Sequence, residues 1–293
     1  MQHATYTPTL WTVWGQTFSL LTQTSRWVAP ILLGFFFIPQ FCLEIWMGYQ
    51  GIVAADAIQH AVAVQDQVPT IGGYLSLLES FYLFLGPYLG GFLGLALVLL
   101  TGYLVLILFF LQSCGEESPR SLPQLCWHGV KLLLPKGIPF VGFLLILSVE
   151  QLFFSSLHVF SAFALLAIVI SLHEKQGMWR SLGHALFFRY TNIQRGGAFR
   201  MAFILIMTMS FVSMARIGLE VLFLQFHLEG AGMGGLLPAS FSAPVWGMPF
   251  SPLGLVGHCL RIAGYSVLLA FLAGFSVTLY REASPSLAER MTL

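Results

Sequence analysis

Apolar residues in this chain come in runs long enough to cross a bilayer, and polar residues gather in the gaps between the runs. A helix rises about 1.5 Å per residue, so roughly 20 apolar residues traverse a hydrocarbon core of about 30 Å. The pattern predicts six spans, at about 27–49, 84–111, 138–154, 157–172, 198–225 and 253–280. Residues 138–172 are the hardest to divide. They hold too many apolar residues for one span and barely enough for two of about 17. Two short crossings that turn near Ser155 and Ser156 are expected, with a re-entrant hairpin as the alternative.

Between the spans the apolar residues change to a 3.6-residue period. Leu10, Trp11, Trp14, Phe18 and Leu21 form one stripe, Leu122, Leu125, Cys126, Val130 and Leu133 a second, and Trp179, Leu182, Ala185, Leu186 and Tyr190 a third. Each stripe is too short and too interrupted to span, which predicts three amphipathic helices lying in the membrane interface, the first over about 10–24. Trp11 and Trp14 suit the headgroup zone. The order of interfacial helix, outward span and return span occurs from Leu10, from Ser121 and from Trp179, the outline of a threefold repeat without strong residue identity. The Ala-rich piece 51–64 reads as helix, ended by Pro69 and the Gly72–Gly73 pair. Gly90, Gly91 and Gly94 suit close helix packing. Residues 227–252, rich in Gly, Pro and Ser, read as an irregular outer loop.

Composition fixes the solvent. The chain of 293 residues is 57% hydrophobic and 9% charged, with mean hydropathy +0.82, whereas soluble domains are about a quarter charged. Such a chain cannot cover itself with water-compatible groups, so the bilayer is its solvent. The net charge of +1 carries no field that would favour nucleic acid. Placement of charge says more than the sum. Lys and Arg at 26, 120, 131, 136, 175, 180, 189, 195, 200, 281 and 290 all fall on one side of the six-span arrangement, and the opposite loops hold none. By the positive-inside rule both termini are cytoplasmic. No cleavable signal peptide is expected in residues 1–26. The reading is an all-α, polytopic membrane protein, one integral membrane domain over 1–293, in a bacterial-type inner membrane.

Motifs for chemistry are sparse. His173-Glu174 lacks a second histidine at the spacing of a zinc protease helix, and there is neither a G-x-S-x-G elbow nor a P-loop. Cys42, Cys114, Cys126 and Cys259 have no paired spacing, so free thiols are expected, although Cys42 and Cys259 fall near the same face. His158, His227 and His258 share that outer face without ligand spacing. No cofactor, metal or enzymatic activity is expected.

What stands out is charge inside the spans: Glu44, Glu150, Arg216, Glu220 and Arg261. A charge at the bilayer centre costs at least about 2.5–3.5 kcal/mol, so such residues turn inward and find partners. Arg216 and Glu220 are one turn apart and are expected to pair, which leaves Arg261 for Glu44 or Glu150. Counted from the basic flanks, Arg216 lies about 24 Å deep, Glu44 about 27 Å, Glu150 about 21 Å and Arg261 about 30 Å. All five therefore concentrate in the outer part of the membrane. They form either a structural network tying helix ends or a polar pocket for an anionic headgroup, a small solute or a partner's charge.

Residues 170–200 read ISLHEKQGMWRSLGHALFFRYTNIQRGGAFR. Glu174, Gly177, Ala185, Leu186, Arg195 and Gly196, with Ser181 and Arg189 in looser register, make a pattern of acidic-glycine turn, Ala-Leu amphipathic helix and Arg-Gly step. This stretch resembles bacterial families related to the membrane domain of glycerophosphoryl diester phosphodiesterases. Here the turn is the longer Glu174-Lys175-Gln176-Gly177. The resemblance implies a six-span helical domain linked to envelope or lipid biology. It does not imply phosphodiesterase activity, which belongs to a separate barrel domain; only 13 residues follow Tyr280. The functional expectation is a non-enzymatic role in envelope or lipid homeostasis, with membrane lipids and other membrane subunits as partners. The alternative is a transporter or permease component with a polar site in the outer half of the bundle.

Overall fold

Thr9 starts the first helix: its hydroxyl accepts the Thr12 N–H at 3.2 Å and satisfies one of the free donors of the first turn. In the computed structural model, which describes residues 9–43, 45–46, 71–115, 120–139, 159–186, 195–233 and 252–283, all regular structure among those residues is helical. Seven α-helices are present among the described residues: α1 Leu10–Leu32, α2 Ile71–Ser113, α3 Leu122–Leu132, α4 Val159–His173, α5 Met178–Leu186, α6 Arg195–Met233 and α7 Pro252–Ala283. Two π turns extend them, Leu33–Phe37 after α1 and Leu133–Gly137 after α3. The first precedes Pro39 and the second contains Pro135. Proline lacks the N–H that the α ladder needs, and an extra residue in the turn lets the chain continue as helix past it.

The first expected interfacial helix and the first span prove to be one rod, helical from Leu10 to Leu43. The polar residues at 17–25, which argued for a break, satisfy themselves along the helix. Thr17 Oγ1 donates to Val13 O, Thr22 Oγ1 to Phe18 O and Ser19 O, Thr24 Oγ1 to Leu20 O, and Ser25 Oγ to Thr22 O. A hydroxyl bonded to its own helix needs no water, so such a stretch can sit among apolar helices. Two further boundaries differ from expectation. Gly72 and Gly73 lie within the first turn of α2 and do not precede it. Residues 227–233 belong to α6, so the outer loop expected from 227 cannot begin before 234.

Among the described residues, four helices are long and apolar enough to cross a membrane: Leu10–Leu43, Leu93–Ser113, Arg200–Leu222 and Leu255–Glu282. The protein is therefore a multi-pass helical membrane protein. They overlap the expected spans at about 27–49, 84–111, 198–225 and 253–280. The helix α4 has 15 residues, about 22 Å long, which is short of a full core. The other expected short span, 138–154, lies outside the described residues beyond 139.

The chain divides into two compact units: Met1–Leu33, Leu100–Ile217 and Tyr265–Leu293 in the first, Gly34–Leu99 and Gly218–Gly264 in the second. In the first unit, Leu104–Leu108 of α2, Ala164 and Leu166–Ile170 of α4, and Ala273–Tyr280 of α7 are buried in the core. The N-terminal part of α1 packs beside them and does not lie apart as an interfacial helix. Trp14 Nε1 donates to Thr208 Oγ1 on α6 at 2.8 Å, and the Trp14 ring meets Phe211 and Phe271 at 4.8 and 6.1 Å. Gly274 on α7 faces Thr17 and Phe110, where an added Cβ would make ordinary contact.

Helix α3 has two apolar faces. Leu125, Gly129 and Gly137 turn inward, and a Cβ on Gly129 would lie 2.6 Å from Val105 Cγ2, so α3 approaches α2 as closely as a glycine allows. Trp127, Val130, Leu134 and Ile138 form a separate exposed ridge. Val130 thus sits on the outward ridge and not on the face buried with Leu125.

The turn from α4 to α5 places Lys175 at φ 53°, left-handed backbone that favours glycine. Lys175→Gly is expected to stabilise the protein by about 0.5–1 kcal/mol, measured as a raised midpoint in detergent-denaturation titrations. An unchanged or lowered midpoint would contradict this assignment.

Candidate functional site

Of the five intramembrane charges singled out by sequence, Glu44 and Glu150 lie outside the described residues. The other three divide between the two units. In the second unit, Glu220 on α6 forms its ion pair with Arg261 on α7, Oε2 to Nη1 at 3.7 Å. The arginine side chain is 17% exposed and the glutamate 44%. Glycine makes the approach possible. A Cβ on Gly264, one turn beyond Arg261, would lie 2.6 Å from Leu219 Cδ1, so α6 and α7 meet closely beside the pair. Arg261 Nη2 also lies 3.5 Å from Nδ1 of the buried His258, whose ring stands 6.1 Å from Phe41. In the first unit, Arg216 does not make the expected pairing along the helix; its guanidinium carbon stands 5.9 Å from the centre of the Tyr265 ring, a cation–π geometry. Cys42, Cys114, Cys126 and Cys259 are free thiols.

A second constellation, in the first unit, was not singled out as a site by sequence. It is built around Glu174, the residue after α4. The Glu174 side chain is 14% exposed. Gln176 Nε2 donates to its Oε2 at 2.7 Å, and the hydroxyl of the buried Tyr280 donates to Oε1 at 3.2 Å. With that proton given to Glu174, Tyr280 accepts from His173 Nδ1–H at 2.8 Å, which sets the His173 tautomer. His184 on α5 brings Nδ1 to 3.6 Å from Glu174 Oε2, close enough for an ion pair and too long for a hydrogen bond. One carboxylate thus gathers groups from the α4–α5 turn, from α5 and from the end of α7.

Beside it Lys136, in the second π turn, donates to Ser171 O at 3.2 Å, to Ser171 Oγ at 2.7 Å and to Gln176 O. Burial pushes the Lys136 ammonium below the ordinary lysine range. A lysine against a serine hydroxyl has the makings of a nucleophile pair. The geometry assigns it another task. Ser171 has no exposed surface, its hydroxyl donates to Gln176 O at 2.9 Å, and the three ammonium protons meet three acceptors. Lys136 is a cap on the last carbonyls of α4, where the helix dipole favours a cation.

Positively charged groups also flank exposed tryptophans. Lys131 Nζ stands 5.3 Å from the Trp127 ring centre on α3, and Arg180 follows Trp179 on α5, with Trp127 62% and Trp179 71% exposed. Comparison of the chain with family models, with curated proteins and with solved structures returned no match.

Proposed function

We propose that this multi-pass membrane protein has a non-enzymatic role in envelope or lipid homeostasis, as a lipid-contacting subunit of a membrane assembly in a bacterial-type inner membrane with both termini cytoplasmic. The observation that carries the reading is an exposed tryptophan with a cation near it on each of two amphipathic helices: Lys131 stands over the Trp127 ring, and Arg180 follows Trp179 in the chain. An indole prefers the headgroup layer, and a cation beside it adds attraction to anionic lipid, about 1 kcal/mol per residue near the surface. The exposed ridge Trp127–Val130–Leu134–Ile138 offers the adjoining apolar contact. Protein purified in mild detergent should retain anionic phospholipid, read by native mass spectrometry, with Lys131→Ala weakening retention roughly fivefold, the equivalent of about 1 kcal/mol. A lipid-free protein without co-purifying chains would sink the proposal.

A second reading, a transporter or permease component, rests on the Glu220–Arg261 pair beside His258. Ionisable groups within spans commonly mark solute or ion paths. Under this reading, neutralising Arg261 abolishes flux while membrane abundance stays normal.

A further inference from the structure

We propose that Glu174, His184 and Tyr280 form a clasp that tightens on acidification and fastens α5 to the end of α7. This goes beyond lipid contact and does not depend on it. Three observations carry the inference. Glu174 already bridges the α4–α5 turn and α7, through Gln176 Nε2 at 2.7 Å and Tyr280 hydroxyl at 3.2 Å. His184 Nδ1 sits 3.6 Å from Oε2, the same carboxylate oxygen that accepts from Gln176. The same Nδ1 is sealed from solvent and makes no hydrogen bond.

A polar ring atom held in that position without a hydrogen bond is costly while the imidazole is neutral. Protonation changes the account. A charged imidazolium opposite a half-screened carboxylate gains an ion pair, and a small closure brings the two within hydrogen-bond distance. The other charged or titratable groups nearby have different engagements. Lys136, on the π turn, is committed to Ser171 and Gln176 oxygens. His173, on α4, uses Nδ1 on Tyr280. Lys175 in the turn, Arg180 on α5 and Arg281 on α7 are exposed. His184 is therefore the group whose protonation adds a contact to Glu174.

The mechanical consequence falls on α5. That helix buries Met178, Ser181 and Ala185 and exposes Trp179. Loosening the clasp frees it to leave its neighbours, and tightening holds it in place.

The test is hydrogen–deuterium exchange on the full-length protein in lipid nanodiscs, following 178–186 at pH 8 and at pH 5.8 after correction for intrinsic exchange. Wild type should open about threefold less often at the lower pH, a change in the range of a partly exposed ion pair. His184→Gln and Glu174→Gln should flatten the difference, whereas His173→Gln should keep it. A wild type without pH dependence overturns the clasp, a reading that needs no variant to fold. A His184→Gln protein that responds like wild type, or a His173→Gln protein that alone loses the response, overturns it as well.

Discussion

Replacing Lys136 with methionine is expected to destabilise the protein by about 2–3 kcal/mol, because hydrogen bonds from a charged donor contribute roughly 1.5–3 kcal/mol and their loss strands buried acceptors. The acceptors are specific: the Ser171 carbonyl at the end of α4, the Ser171 hydroxyl and the Gln176 carbonyl. Ser171 is fully buried, so water cannot replace the ammonium there without opening the turn. Methionine keeps the length of the stem and removes only the charge and its protons. An opposing effect limits the loss. Burial disfavours the charged lysine and lowers its proton affinity in the folded state. The unfolded chain then holds this proton more tightly, so stability rises with pH from the lowered folded value up to the ordinary lysine range near 10.5. Below that window both states are protonated and the burial cost is constant. Lys136→Met should lose this alkaline rise together with its midpoint in a detergent-denaturation titration. Lys136→Arg should restore little, since a planar fork does not fit three acceptors arranged around a single ammonium. A methionine variant as stable as wild type would show that the contacts are dispensable.

The same residues show what the sequence made legible. The four long spans were readable because each depends only on a run of apolar residues, and the amphipathic segments at 122–132 and 178–186 because a 3.6-residue period persists through them. The unity of Leu10–Leu43 was hidden, since Thr22, Gln23, Thr24 and Ser25 look like an aqueous break until their bonds along the helix are seen; Gln23 Nε2, for one, donates to Ser19 Oγ at 3.1 Å. For α3, periodicity identified a helix but merged two apolar faces, and only the glycines at 129 and 137 mark the side that meets α2. The Glu174 constellation was illegible for a different reason. Glu174 and Tyr280 stand 106 residues apart and His173 and Tyr280 stand 107 apart, and a spacing rule that looks for a second histidine one turn away cannot find His184. A faint signal existed: Ser171, His173 and Glu174 end an otherwise apolar helix, and polar groups clustered at such an end require partners. The charges at 216, 220 and 261 were legible as residues. Their pairing was not, because whether Glu220 meets Arg261 depends on how closely α6 and α7 approach at Gly264.

That pair gives the other large expected effect. Arg261→Met should destabilise the protein by about 2 kcal/mol, and Glu220→Gln by about 1 kcal/mol, because each breaks an ion pair within the spans. The asymmetry follows from exposure. Arg261 is 17% exposed and has the His258 ring at 3.5 Å on its other side, whereas Glu220 is 44% exposed and can turn outward. If the ion pair itself supplies the stability, the double variant should cost less than the sum of the two singles, with a coupling of about 1 kcal/mol. Equality with the sum would show that the 3.7 Å contact contributes nothing on its own. The cycle also separates the two functional readings, provided that abundance and activity are scored together. A structural tie predicts that membrane abundance falls in Arg261→Met and recovers in part when Glu220 is also neutralised, since the double variant removes both halves of the ion pair. A transport path predicts abundance near wild type in all three variants and loss of flux in every one that lacks Arg261, with no recovery on neutralising Glu220. Charge in the path would then matter more than pairing, and Arg261→Lys, which keeps the charge but not the planar fork, should retain part of the flux while losing the coupling to Glu220.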